Sequence, residues 1–145
     1  MAFRFTLAQV LRVRQSIERR EELALQRAEL EVARARRRIE ELTDNLAKAG
    51  KARDEAILQP MQAFELQCMN AEISSIAAQR EAVFAALQTL IQQRDVQRKT
   101  YQSAHTARQM LTDMSSQQKT EYEQEQTRAQ QKRLDDIFAS RLKRD

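Results

Sequence analysis

The stretch that decides the fold is residues 25–49, LQRAELEVARARRRIEELTDNLAKA, in which apolar side chains recur every seven residues. The first position of the repeat holds Leu25, Val32, Ile39 and Leu46, and the second, three residues later, holds Ala28, Ala35, Leu42 and Ala49. This repeat places one narrow apolar stripe along a helix, which is typical of a two-stranded coiled coil.

A second stripe follows the only glycine and the only proline of the chain, Gly50 and Pro60. Its alternating spacings of four and three residues include Met69, Ile73, Ile76, Arg80, Val83, Leu87, Leu90, Arg94, Gln97, Tyr101 and Ala104. We therefore expect an all-α fold, a long two-helix antiparallel coiled-coil hairpin spanning residues 1–145. Helix one is predicted over 7–50 and helix two over 61–140, with residues 51–60 as a connection that is either loop or further helix.

Helix one has a strong start signal in Phe5-Thr6-Leu7-Ala8-Gln9-Val10, where a threonine and a glutamine are spaced as in a capping box. The helix should begin near Leu7. In the first turns, the predicted seam consists of Leu7, Val10, Arg14, Ile17, Glu21 and Ala24. It then shifts by one position to continue with Leu25 and Val32.

A hairpin folded symmetrically about residues 51–60 brings apolar side chains together along its length. The predicted opposed pairs are Leu46 with Met69, Leu42 with Ile73, Ile39 with Ile76, and Val32 with Val83. In this register the N-terminal end of helix one lies opposite about residue 112 of helix two. The remainder of helix two should overhang at the C-terminus.

Composition favours a solvated shaft over a compact core. The 145 residues are 41% hydrophobic, 32% charged and only 5% aromatic, which suits a narrow seam between charged faces. The chain has no secretory signal pattern and no apolar run of about 20 residues, so we expect a cytoplasmic protein without membrane insertion. Cys68 is the single cysteine, which is consistent with a reducing compartment.

The sequence offers no catalytic, cofactor or metal site. His105 is the only histidine, no nucleophile and base pattern accompanies it, and the chain has no glycine-rich phosphate loop. The net charge is only +4, with acids interleaved among the basic residues, which favours ion pairs along the helices over nucleic-acid binding. The protein should act by contact.

The end of helix two carries an apolar stripe with nothing in the chain to cover it. Leu134, Ile137, Phe138 and Leu142 return at helical spacing, flanked by Lys132, Arg133, Arg141, Lys143 and Arg144. A lone helix with such a stripe requires a partner for its burial. We therefore predict a binding surface at this end.

The opening Phe3-Arg-Phe-Thr-Leu-Ala-Gln-Val-Leu-Arg-Val-Arg, followed by Glu18 and a long amphipathic helix, resembles the FliJ family of flagellar export proteins. The chain length, the single central break, the glutamine-rich second helix and the closing Gln130-Gln-Lys-Arg-Leu-Asp-Asp-Ile-Phe-Ala are similar as well. The resemblance covers nearly the whole chain.

This resemblance implies a non-enzymatic cytoplasmic stalk of the flagellar type III export apparatus, associated peripherally with the membrane at the flagellar base. Family members dock into the hexameric export ATPase ring, contact the cytoplasmic domain of the export gate and assist recycling of export chaperones. The predicted ring-binding residues are Arg133, Leu134, Ile137, Phe138, Arg141, Leu142 and Lys143. The resemblance places the gate-binding surface at Ile39, Leu42, Leu46, Met69, Ile73, Ile76 and Arg80, which are also seam residues.

Three other functions remain open from the sequence. One is the equivalent stalk of a virulence-type secretion system. Another is a generic coiled-coil scaffold or chaperone that binds partners along its shaft. The last, a basic clamp for nucleic acid, predicts binding that weakens steeply with salt.

Overall fold

The computed structural model describes residues 2–144 and consists of two long α-helices. Helix α1 spans Ala8–Ile57 and helix α2 spans Ala63–Leu142, with 50 and 80 residues. The two helices pack against each other and no strand occurs among the described residues. The predicted all-α helical hairpin is confirmed.

The ends of the helices follow local hydrogen bonds. Ahead of α1, the Ala8 amide donates to the Phe5 carbonyl at 3.2 Å, and the Leu11 amide then donates to the Leu7 carbonyl at 2.9 Å. The helix thus starts one residue after the predicted position. At α2, the Leu66 amide donates to the Gln62 carbonyl at 3.3 Å.

Gly50 lies inside α1, and of the two alternatives predicted for residues 51–60, loop or further helix, the structure shows helix as far as Ile57. A glycine in a helix interior costs about 1 kcal/mol relative to alanine, and nothing lies within 4 Å of where its Cβ would be. The helix continues because seam positions Arg53 and Ala56 are half-buried beyond it. The connection is therefore residues 58–62, shorter than the predicted 51–60, and Pro60 lies within it.

This longer first helix shifts the register of the hairpin. Arg80 of α2 donates to the Thr43 hydroxyl of α1, and Arg53 of α1 donates to the Asn70 side chain of α2. The predicted pairing instead places Thr43 and Arg53 opposite residues about one heptad earlier on α2. A repeating stripe can pair equally well after a shift of seven residues, so the connection length decides the register. The predicted pairs, Leu42 with Ile73 among them, are corrected accordingly.

Two compact units make up the chain. The shaft unit, as we call it, is Glu21–Tyr101. Its core consists of Val32, Leu42 and Leu87, which are buried. The other predicted stripe residues on α1, from Leu25 to Ala49, are half-buried, which confirms the seam in this unit.

The terminal unit comprises the residues up to Arg20 and those from Gln102 onward. Ala104 is buried there, and half-buried positions continue along α2 at heptad spacing as Arg108, Leu111, Ser115, Gln118 and Tyr122. The Phe3 ring lies 5.7 Å from the Tyr122 ring, centroid to centroid. Residues 123–144 are exposed throughout, so the uncovered part of α2 begins at 123 and not at 112.

The early seam is predicted correctly only in part, because Leu7, Ile17, Glu21 and Ala24 are half-buried but Val10 and Arg14 are exposed. Leu11 and Glu18 are half-buried and lie in the same heptad position as Leu25, so one register runs through α1 from its first turns. Glu18 is accepted at a seam position because Arg108 of α2 donates to its carboxylate at 2.6 Å.

Candidate interaction surfaces

The C-terminal stripe, Leu134, Ile137, Phe138 and Leu142, lies on α2 in a region where every described side chain is exposed. The helix persists to Leu142, and the Lys143 amide donates to the Ala139 carbonyl at 3.3 Å. Because residues three, four and seven apart share a helix face, the stripe is one continuous surface. Phe138 is 62% exposed and Leu142 is 78% exposed, so these apolar side chains are open to a partner.

The charges around the C-terminal stripe are mainly basic. In residues 132–145, the five basic residues Lys132, Arg133, Arg141, Lys143 and Arg144 outnumber the three acids, Asp135, Asp136 and Asp145. Arg141 lies in the last turn of α2, where a cation is favoured by the helix dipole. An apolar stripe with a basic border is suited to a partner surface that combines apolar pockets with carboxylates.

The residues that the resemblance assigns to gate binding lie mostly in the seam of the shaft unit. Leu42 is only 2% exposed, and Ile39, Leu46, Met69, Ile73 and Ile76 are half-buried. Their surroundings show that helix packing is their main role. Sequence alone could not separate packing from binding, because both require apolar side chains at these positions.

Arg80 differs from the other six because it is exposed. Its Nε donates to the Thr43 hydroxyl at 3.0 Å, and the Thr43 hydroxyl in turn lies 2.7 Å from the Ile39 carbonyl. The long aliphatic stem lets the guanidinium leave the seam and reach solvent. Arg80 is thus available to a partner without loss of core packing.

A surface cavity of about 360 Å³ opens beside the same seam. Its lining includes Met69 and Ile76, together with Lys48 and Glu72. Two of the gate-assigned residues therefore reach the surface at one place, between charges of both signs. This is the part of the assigned surface that a partner can touch.

A polar cluster in the terminal unit was missed by the sequence analysis. The Glu18 carboxylate accepts a hydrogen bond from Arg108 Nε at 2.6 Å and lies 3.7 Å from His105 Nδ1. The bond to Arg108 holds the pKa of Glu18 below its usual value, against the opposing effect of desolvation. The signal was available, since Glu18 stands seven residues from both Leu11 and Leu25.

We expect this cluster to make stability depend on pH. Because the pKa of Glu18 is lower in the folded than in the unfolded state, its contribution is present above the unfolded pKa and is lost as pH falls through the folded value. Thermal unfolding of the wild type and Glu18→Gln should differ by about 1 kcal/mol at neutral pH. Glu18→Gln should be the less stable protein at neutral pH, and the difference should shrink toward zero as pH falls through the lowered pKa of Glu18.

Glu29→Gln is the control for that measurement. Glu29 forms an exposed ion pair with Arg98 at 3.8 Å, so its loss should change stability little at any pH. If Glu18→Gln and Glu29→Gln gave the same pH profile, the cluster would not stabilise the terminal unit.

Residues 2–144 contain no group of three or more side chains able to hold a metal ion. Within the same range, no helix has the length and apolar character needed to cross a membrane.

A protein-family model for the flagellar FliJ protein matches residues 3–145. The chain belongs to the FliJ family. No curated protein and no solved structure shows significant similarity to it. Because the match includes both the shaft unit and the terminal unit, FliJ membership applies to nearly the whole chain, and the protein is related to flagellar export.

Proposed function

We propose that this FliJ-family chain is a non-enzymatic stalk of the flagellar type III export apparatus that binds and stimulates the export ATPase hexamer. The contact is made by the C-terminal stripe and its basic neighbours, Arg133, Arg141 and Lys143. The observation that carries the proposal is the exposure of every residue of this apolar and basic surface at the end of α2. A surface of this type gains stability only when a partner covers it.

The ring lumen of a hexameric ATPase would supply both elements that this surface needs. Subunit carboxylates would pair with Arg133, Arg141 and Lys143, and apolar side chains would cover Phe138 and Leu142. Association of this kind is steered by charge and held by a few apolar anchors. Stimulation would follow if the bound stalk favours the assembled ring.

The same proposal includes contacts with the cytoplasmic domain of the export gate and with export chaperones. Among the gate-assigned residues, Arg80 is exposed, and Met69 and Ile76 line the surface cavity. We therefore assign the gate contact to these three residues, while Ile39, Leu42, Leu46 and Ile73 support it by packing. The protein would then be associated with the membrane only through the export apparatus.

The experiment that tests the ATPase contact is the hydrolysis rate of the purified export ATPase with the full chain or with a chain ending at Gln131. The full chain should raise the rate, and the truncated chain should not. The described residues that the truncation removes, 132–144, are all exposed, so the thermal stability of the truncated chain should stay close to that of the full chain. Absence of stimulation by both proteins would favour a scaffold or chaperone that binds partners along its shaft.

A further inference from the structure

The terminal unit has one apolar edge that the proposed function does not use. It is formed by three residues of α1 and three of α2, namely Val10, Val13, Ile17, Ala107, Met110 and Met114. We call this set the apolar edge. It is separate from the C-terminal stripe, which begins twenty residues after Met114.

The heptad register places these residues on the same side of the helix pair. Val10 and Ile17 immediately precede the seam residues Leu11 and Glu18, and Met114 immediately precedes the seam residue Ser115. In antiparallel coiled coils, equivalent flanking positions of the two helices lie along one edge. In the shaft unit, Glu29 and Arg98 each directly follow a seam residue, and their exposed ion pair connects these equivalent positions of the two helices.

The opposite edge of the terminal unit has a different composition. Its flanking positions hold Gln15, Arg19, His105, Gln109 and Thr112, which are all polar. A two-helix shaft surrounded by water needs polar residues at both edges. The contrast between the two edges indicates that the apolar edge is covered by another element.

Four of the six residues of the apolar edge are exposed, and Ile17 and Ala107 are half-buried. Val13 is 58% exposed and Met110 is 62% exposed, and Val10 and Met114 are exposed as well. A surface cavity of about 470 Å³ is lined by Val10, Val13, Arg14 and Ile17, with Gln9 beside them. This cavity, which we call the groove, lies on the α1 side of the apolar edge and has room for side chains of a third helix.

The charges beside this groove are positive. Arg14 lines the cavity, and Arg12 and Arg20 line a neighbouring one with Val13 and Ile17. Residues 2–17 contain no acidic side chain, and Asp113 is the only acid from 102 to 120. A partner must therefore bring carboxylates to this side of the molecule.

We propose that the apolar edge binds an amphipathic helix of a partner protein, with an apolar face and acidic residues along its borders. The partner's apolar side chains pack between Val13 and Met110, and its carboxylates pair with Arg14 and Arg12. The two methionines can adapt to side chains of different shapes. A second copy of this chain is a poor occupant, because it would bring the same arginines to the contact.

The test uses two labelled synthetic helices of about 18 residues that share a leucine face. One carries glutamates at its border positions and the other carries lysines. Fluorescence anisotropy with the full chain should show binding of the acidic helix and binding about tenfold weaker, or less, for the basic helix. Val13→Glu and Arg14→Glu should each weaken binding of the acidic helix about tenfold.

Gln109→Glu is the matched control, since it adds one negative charge on the polar edge. It should leave binding unchanged within about twofold, and circular dichroism should show that all variants keep the wild-type helix content. Failure of the acidic helix to bind, or equal losses in Val13→Glu and Gln109→Glu, would overturn the proposal. Dimers that disappear with Val13→Glu in sedimentation would assign the edge to a second copy. Because the assay contains no ATPase, its result is independent of the proposed stalk function.

Discussion

Replacement of Leu42 by alanine is expected to lower the free energy of unfolding by about 3 kcal/mol. Leu42 is the most completely buried large side chain of the described residues, at 2% exposure. Its removal leaves a void in a seam that is one side chain wide on each helix. Neighbouring side chains have few alternative contacts with which to fill that void.

Urea unfolding followed by circular dichroism measures this loss. Leu134→Ala is the matched control, because Leu134 has the same side chain and lies on α2 at 56% exposure. It should change the free energy of unfolding by less than about 0.5 kcal/mol. Similar losses in both variants would mean that the C-terminal stripe is buried in solution and that the seam is not the main source of stability.

The fold could be predicted from the sequence because periodicity reports directly which helix face is buried. Val32, Leu42 and Leu87 were all named as seam residues, and all three are buried. The scarcity of glycine and proline excluded most other architectures. Each of these signals is local, and a hairpin of two helices needs little else.

The register could not be obtained in the same way. Gly50 was interpreted as a helix end because glycine favours that position, but packing of the following turns outweighs a cost of about 1 kcal/mol. The connection therefore lies later in the chain than predicted, and every cross-helix pair differs from its predicted pairing by about one heptad. The contacts of Arg80 with Thr43 and of Arg108 with Glu18 then add a preference for the observed register that the apolar stripe lacks.

The C-terminal stripe could be predicted because its exposure follows from the lengths of the two helices. The apolar edge could not be predicted because its exposure depends on the heptad register of the terminal unit. The C-terminal stripe was identified because helix two is longer than helix one. The apolar edge was not, because Val10 was assigned to the seam and Ile17 with it. Only the correct position of Leu11 and Glu18 shows that Val10 lies outside the seam, at its edge.

Replacement of Phe138 by aspartate is expected to remove most of the stimulation of the export ATPase. Phe138 is the largest side chain of the C-terminal stripe, and aromatic anchors of this kind often account for 2 kcal/mol or more of binding energy, roughly a thirtyfold change in affinity. The added carboxylate would also face the partner's acidic groups. Titration of the purified ATPase with wild type and variant, with hydrolysis rate as the readout, measures the shift in half-maximal concentration.

Phe84→Asp is the control that separates the end of the chain from its shaft. Phe84 is 55% exposed and lies in the interior of α2, so the substitution has a similar cost in helix propensity and a similar change in charge. An ATPase ring that holds the C-terminal stripe should be insensitive to it. If Phe84→Asp abolished stimulation while Phe138→Asp did not, the contact would lie along the shaft unit. The stripe would then require a different partner, because its exposed apolar side chains would still have no partner within the described chain.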